Sequence, residues 1–95
     1  MITYQMMMEA RAKACAREEL ECYDRCAHNL AKLFVIVTEA QDGRACKDVF
    51  EQMAYLKNQQ RIHLERAAAI LEVPGFFNEQ VGHCVNIETL RKLST

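Results

Sequence analysis

The amino-acid sequence predicts an all-α fold: a long antiparallel helical hairpin followed by one or two short C-terminal helices. Two observations lead to this prediction. The chain has neither glycine nor proline before Gly43, and these are the residues that most often interrupt helices. Beyond Gly43, apolar residues recur at intervals of three and four as far as the sequence Val-Pro-Gly, which is typical of an amphipathic helix. The 95 residues, 1–95, fit a single small domain.

The first helix is expected to begin after Thr3, a favourable N-cap residue, and to end at the turn formed by Asp42-Gly43. Residues 33–38 are rich in β-branched side chains, but one short strand without a partner segment cannot form a sheet. We therefore predict one helix, or two helices in line, over residues 3–41. Five consecutive apolar residues at 33–37 also predict burial on more than one side.

A second helix is predicted to begin near Arg44 and to end at Glu72, because the sequence Val-Pro-Gly follows. After it, residues 76–81 are expected to form a short helix that ends near Gly82. Asn86 can then cap a last helix from Ile87 to Leu93.

The two long helices have unequal predicted lengths, so folding them into a hairpin leaves the first helix, from Met1 to about Ala14, beyond the end of the second. Two helices cannot enclose a core, and the apolar faces left open would be larger than an ordinary monomer exposes. A homodimer that completes a four-helix-type bundle resolves this most simply. The competing arrangement has a break near His28-Asn29 and gives a compact monomer of four or five shorter helices.

Composition narrows the classes of partner. The formal net charge is −1 with both signs mixed along the chain, which gives no basic stripe for nucleic acid or an anionic membrane. The longest apolar run covers residues 33–37, far short of the roughly 20 residues of a spanning helix. The first residues lack the pattern of a secretory signal, and five cysteines are an odd number. We expect a soluble cytoplasmic protein with reduced thiols, no nucleic-acid partner and no membrane partner.

Three cysteines share one stripe of the first helix: Cys15, Cys22 and Cys26. The stripe lies within a broad apolar face, where free cysteine behaves as a small hydrophobic residue that lets helices approach closely. The three thiols cannot readily bond to one another, because seven residues of helix separate their Cα atoms by about 10 Å and neighbours four apart are badly oriented.

Polar residues interrupt the apolar faces of both long helices. Glu19 lies among the cysteines, and Gln60 and His63 occupy apolar positions of the second helix. If residue i opposes about residue 86 − i, His63 lies near Tyr23 and Gln60 near Cys26. Zinc or copper(I) could then bind a soft-ligand cluster: Cys22, Cys26 and His63. The alternative is that His63 and Gln60 are hydrogen-bonded residues that fix the pairing of the helices. No spacing matches a known metal motif, so we predict no cofactor.

The function favoured by these observations is protein–protein interaction. An enzyme is not expected, because two packed helices offer no cleft for a nucleophile and its base. We predict a regulator, an inhibitor or antiactivator, or a chaperone that buries an apolar helical face against a protein target. The predicted partner-binding residues are Tyr4, Met7, Met8, Phe76 and Phe77. The alternative function is a metal-binding or redox-sensing helical bundle that uses Cys22, Cys26 and His63.

Overall fold

A computed structural model of the chain describes residues 1–40, 43–73 and 87–95. These residues form three helices and no strand: α1 (Tyr4–Glu39), α2 (Gly43–Ile70) and α3 (Ile87–Leu93). α1 and α2 pack along each other, and α3 contacts both, so the all-α helical hairpin is confirmed. Within the described parts of the chain, none of the helices is long and apolar enough to cross a membrane. The predicted short helix over residues 76–81 and the predicted cap Asn86 lie outside the described residues.

α1 is one continuous helix of 36 residues, so the break considered near His28-Asn29 does not occur. It begins as predicted, because the Thr3 hydroxyl accepts a hydrogen bond from the backbone N–H of Met6 at 3.2 Å. It ends at Glu39, and the next residue, Ala40, is an extended C-cap whose N–H donates to the carbonyl of Ile36. Because 36 residues rise 1.5 Å each, α1 is about 54 Å long.

Gly43 is the first residue of α2, which corrects the prediction that it forms the turn. Asp42, its predicted turn partner, lies outside the described residues. The contact between Glu19 and His63 shows that residue i opposes about residue 82 − i, rather than 86 − i. The predicted pairing of His63 with Tyr23 is therefore wrong by one helical turn, because α1 ends at Glu39 and α2 begins at Gly43, so the helices fold back about a point before Gly43.

α2 ends at Ile70, two residues before the predicted end at Glu72. Glu72 has a left-handed backbone conformation, with φ of 55°. Its N–H donates to the carbonyl of Ala69, and the N–H of Val73 donates to the carbonyl of Ala68 at 3.0 Å. These two bonds form a Schellman motif, and Val73 also packs against the core cluster that includes Ala68.

The left-handed conformation of Glu72 makes a testable prediction about stability. A non-glycine residue in this conformation costs roughly 1–2 kcal/mol, so Glu72→Gly should raise the free energy of unfolding by about 1 kcal/mol. Urea denaturation measures this difference, and the slope of the free energy of unfolding against urea concentration should be the same in both proteins. The control is Glu72→Ala, which removes the same charge but keeps a Cβ atom. An equal gain in the free energy of unfolding of both variants would mean that removing the charge of Glu72, and not relieving its backbone conformation, stabilises the protein.

The contact between α1 and α2 follows a regular spacing that alternates between three and four residues. We call the buried and half-buried residues at these positions the seam. On α1 the seam consists of Ala12, Ala16, Glu19, Tyr23, Cys26, Leu30, Leu33 and Val37. On α2 it consists of Cys46, Val49, Met53, Leu56, Gln60, His63, Ala67 and Ile70. This heptad spacing keeps one narrow stripe of each helix against the other along the whole hairpin, as in an antiparallel coiled coil.

The core lies at the end of the hairpin where α3 packs against both long helices. It contains Leu20 from α1, Leu64, Ala67 and Ala68 from α2, and Leu90 from α3. Leu64 and Leu90 are its largest fully buried side chains. Burial is therefore concentrated where three helices meet, and the two-helix part of the hairpin buries much less.

Polar contacts also hold α3 in place. Arg17 donates a hydrogen bond to the backbone carbonyl of Ser94 at 2.6 Å, which places a positive charge at the C-terminal end of α3. Arg91 binds both carboxylate oxygens of Asp24, at 2.9 and 3.3 Å, and this hydrogen bonding raises the pKa of the Arg91 side chain. Both partners of the Asp24–Arg91 pair are partly exposed, so it contributes at most about 1 kcal/mol. Burial of Leu90 is the larger contribution to docking.

Candidate interaction surfaces

A polar pair lies in the seam near the core. The Nδ1 atom of His63 is 2.6 Å from Oε2 of Glu19, and the two side chains are only 17% and 23% exposed. Because a carboxylate can only accept, the His63 ring donates this hydrogen bond. The pair satisfies two polar groups inside a mostly apolar contact and favours one register of α1 against α2.

This pair should stabilise the hairpin more than an exposed pair of the same length. In a double-mutant cycle with Glu19→Ala and His63→Ala, we expect a coupling energy of about 1–3 kcal/mol from urea unfolding. The matched control is the pair Arg61–Glu65, also 2.6 Å long but more exposed, for which about 0.5 kcal/mol is expected. Equal coupling energies in the two cycles would show that partial burial does not strengthen the Glu19–His63 bond.

The three cysteines of α1 occupy different environments. Cys15 is exposed, whereas Cys22 and Cys26 are half-buried, and all three are free thiols. The Cys22 sulfur accepts a hydrogen bond from Arg25 at 3.0 Å. Burial raises the pKa of Cys26, the neighbouring Cys22 raises it further, and the charge of Arg25 partly opposes both effects.

The described residues contain no group of three or more His, Cys, Asp or Glu side chains placed to hold a metal ion. His63 binds Glu19 and does not join Cys22 and Cys26 in a common ligand set. The metal-binding alternative therefore gains no support from the geometry and stays a prediction.

The raised pKa of Cys26 predicts a difference in thiol reactivity. At about pH 7.5, N-ethylmaleimide should modify Cys26 at least about threefold more slowly than Cys15, because the thiolate is the reacting form and Cys26 is also less accessible. Peptide mass spectrometry after short labelling times measures both rates in the folded protein. The denatured chain is the control, and there the two rates should become similar. Faster labelling of Cys26 than of Cys15 would contradict the environment described for Cys26.

The raised pKa of Cys26 also makes the stability of the protein depend on pH. Because the folded pKa of Cys26 lies above its ordinary value of 9.0, folding favours the neutral thiol. This contribution to stability is present at neutral pH and is lost as the pH rises above the ordinary value.

The first turns of α1 extend beyond the end of α2. Residues 1–11 are all exposed, and we call them the overhang. The overhang is slightly shorter than the predicted range from Met1 to about Ala14, because the seam already begins at Ala12. Three of the predicted partner-binding residues lie here: Tyr4, Met7 and Met8, which are 77%, 60% and 46% exposed. At spacings of three and four they share one helix face. Phe76 and Phe77, the other two predicted residues, lie outside the described residues.

An open groove of about 500 Å³ adjoins the overhang, where the ends of α2 and α3 approach α1. Its apolar lining includes Met8, Ile70 and Leu93, and Glu9 and Lys13 also line it. Met8 therefore belongs both to the exposed face of the overhang and to the groove beside it.

The opposite end of the hairpin also exposes large apolar side chains. Phe34, Val35 and Ile36 are about half exposed, as is Phe50 on α2. The prediction that residues 33–37 are buried on more than one side is wrong for the single chain. Only Leu33 and Val37 of this run lie in the seam, because α2 covers one side of α1 and α3 packs at the other end.

Two apolar surfaces thus lie at opposite ends of a chain whose longest dimension is 62 Å. The face with Phe34 and Phe50 was not among the sequence-predicted sites, although the unbroken apolar run at 33–37 was its signal. Comparison with protein-family models, with curated proteins and with solved structures found no match to this chain. Its function must therefore be inferred from its own surfaces.

Proposed function

We propose that this chain is a non-enzymatic interaction protein that acts as a homodimer and binds a protein target through the overhang. In this role it is a regulator, an inhibitor or antiactivator, or a chaperone. The observation that supports the proposal is the exposed apolar face formed by Tyr4, Met7 and Met8 on a helix that is already folded. The free thiols of α1 stay reduced in the cytoplasm, which is the compartment that we propose.

The chemistry of the overhang suits recognition of an apolar protein surface. Tyr4 offers a large amphipathic ring, and the flexible thioether side chains of Met7 and Met8 adapt to an irregular partner. Side chains at i, i+3 and i+4 are the usual anchors when a helix binds in an apolar groove. Because the Thr3 cap holds the helix before binding, the target does not have to order it, which favours affinity.

The groove beside the overhang indicates what the target presents. It offers apolar walls at Ile70 and Leu93 with charged groups at Glu9 and Lys13. An amphipathic helix fits this combination, because its apolar face fills the groove and its polar edges meet the charges at the rim. Binding of such a helix would complete a helical bundle at the end of the hairpin where α1 projects alone.

A capture experiment with matched variants tests the proposal. The full-length chain, Met7→Glu/Met8→Glu and Met6→Glu are each immobilised and exposed to the same cell extract, and retained proteins are quantified by mass spectrometry. Met6 is also about half exposed, but it points away from the face that carries Met7 and Met8. We expect one protein to be retained in stoichiometric amount by the original chain and by Met6→Glu, and at least about tenfold less by the double variant.

Two outcomes of this experiment would contradict the proposal. If the double variant retains the same proteins in the same amounts as the original chain, the face with Met7 and Met8 is not a binding surface. If retention falls equally in both variants, any loss of apolarity in the overhang has the same effect, and specific recognition by that face is excluded.

A further inference from the structure

The chain exposes more surface than its size requires. Its accessible surface is 7146 Å², whereas a compact monomer of 11.0 kDa exposes roughly 5,600 Å², about 1,500 Å² less. A stable interface of standard size needs only about 800 Å² from each partner. The excess is therefore larger than the area that one interface of standard size takes from each partner.

One face of the hairpin is covered by α3 at one end and uncovered at the other. α3 packs on Leu20 and Leu64. Phe34 lies two heptads after Leu20, and Phe50 lies two heptads before Leu64, so both phenylalanines belong to the face on which α3 docks. They lie about 21 Å farther toward the turn. We call the part of this face between α3 and the turn the open face.

The open face combines large and small side chains in a self-complementary pattern. Its large residues are Phe34 and Phe50, which the register of the hairpin places almost side by side. Between them and α3 lie the small residues Ala27, Ala31 and Ala54. A two-fold interface requires projections and recesses on the same surface, so that each copy fills the recesses of the other.

The charged residues of this face include Asp24 on α1 and Lys47 and Lys57 on α2, and Lys47 lies one heptad before Ala54, on the turn side of Phe50. Asp24 is already paired with Arg91 of α3. Lys57 occupies the heptad position between Phe50 and Leu64, and its aliphatic stem can lie along the face with the charged end at the rim. The apolar part of the open face therefore consists of Phe34, Phe50 and the three alanines, and Lys47 and Lys57 border it on α2.

We propose that the occupant of the open face is a second copy of this chain. The two hairpins pack antiparallel with their turn-proximal halves overlapping, so that Phe34 and Phe50 of each copy lie against Ala27, Ala31 and Ala54 of the other. Four helices then surround one apolar centre, and the two α3 helices flank it. This inference rests on the proposed function, because it identifies which part of the apolar surface joins two copies and leaves the overhang for the target.

Sedimentation equilibrium in reducing buffer tests this interface, because it reports mass independently of the elongated shape. We expect the original chain at about 10 µM to have twice the monomer mass, and Phe34→Glu/Phe50→Glu to be monomeric with at least about 100-fold weaker association. The matched control is Ile36→Glu/Tyr55→Glu. Ile36 and Tyr55 are 49% and 63% exposed, against 59% and 54% for Phe34 and Phe50, but they point away from the open face. This control should remain dimeric.

A monomeric original chain overturns the proposal, and so does equal weakening in the two double variants. Circular dichroism checks that helix content is retained. If the glutamate variant unfolds, Phe34→Ala/Phe50→Ala repeats the comparison without an introduced charge, and at least about tenfold weaker association is expected. A dimer as stable as the original in that variant would also overturn the proposal.

The overhang variant separates this inference from the proposed function. Met7→Glu/Met8→Glu should lose the target and remain dimeric. If the original chain is monomeric but still retains a target that depends on Met7 and Met8, the homodimer and its interface are wrong, and target binding through the overhang stands. If the dimer depends on Phe34 and Phe50 but no target depends on the overhang, only target binding through the overhang is wrong.

Discussion

Replacing Leu64 by alanine is expected to lower the free energy of unfolding by about 2–5 kcal/mol. Leu64 is fully buried at the point where α1, α2 and α3 meet, in contact with the cluster that contains Leu20 and Leu90. The substitution removes apolar contacts with all three helices and leaves a cavity that they cannot easily fill. For a domain with a total stability of roughly 5–15 kcal/mol, this loss is a large fraction.

The matched control for Leu64→Ala is Leu56→Ala. Leu56 lies in the same helix and in the seam but is only half-buried, where two helices meet without α3. Urea denaturation of both variants at one chain concentration, which keeps any contribution from association constant, gives the comparison. A loss at Leu56 as large as the loss at Leu64 would contradict the conclusion that stability is concentrated under α3.

Replacing Leu90 by alanine should release α3 from the hairpin. Its fully buried side chain is the main apolar contact of α3, and its truncation is expected to cost about 2–5 kcal/mol. A helix of 7 residues is too short to persist alone in water, so α3 should lose its helical hydrogen bonds when it no longer docks. The polar contacts of Arg17 and Arg91 are too weak to hold it in place.

Hydrogen exchange followed by mass spectrometry measures this effect. Peptides that contain α3 should lose protection in Leu90→Ala, while peptides from the turn-proximal halves of α1 and α2 keep theirs. The control is Leu93→Ala in the same helix, because Leu93 is partly exposed and its truncation should change little. Unchanged protection of α3 in the Leu90 variant would show that other contacts hold the helix.

Most of the fold could be predicted from short-range sequence features. Thr3 identifies the start of α1, and the absence of glycine and proline before Gly43 accounts for its unbroken length. The end of α2 was misplaced because Glu72 adopts a left-handed conformation that sequence preferences assign to glycine. Because glycine commonly interrupts helices, the sequence also predicts Gly43 in the turn, although a helix can begin at glycine.

The candidate surfaces were only partly predictable, because apolar patterns show which residues are suited to burial but not which neighbours are present. Tyr4, Met7 and Met8 were predicted to project beyond α2, and they do. Phe34 was expected to be buried, yet its face is uncovered in the single chain, since α3 docks two heptads away. Likewise, the shift of one turn in register brings His63 to Glu19, and sequence spacing alone could not fix that shift.

Native mass spectrometry distinguishes association through the apolar surfaces from the alternative, metal binding or redox sensing by the thiols. The untagged protein is purified without chelator and measured before and after addition of a reducing agent. We predict a metal-free dimer, twice the 11.0 kDa of one chain, that persists after reduction. A monomer, a species with bound zinc or copper, or a dimer that dissociates on reduction would contradict this prediction.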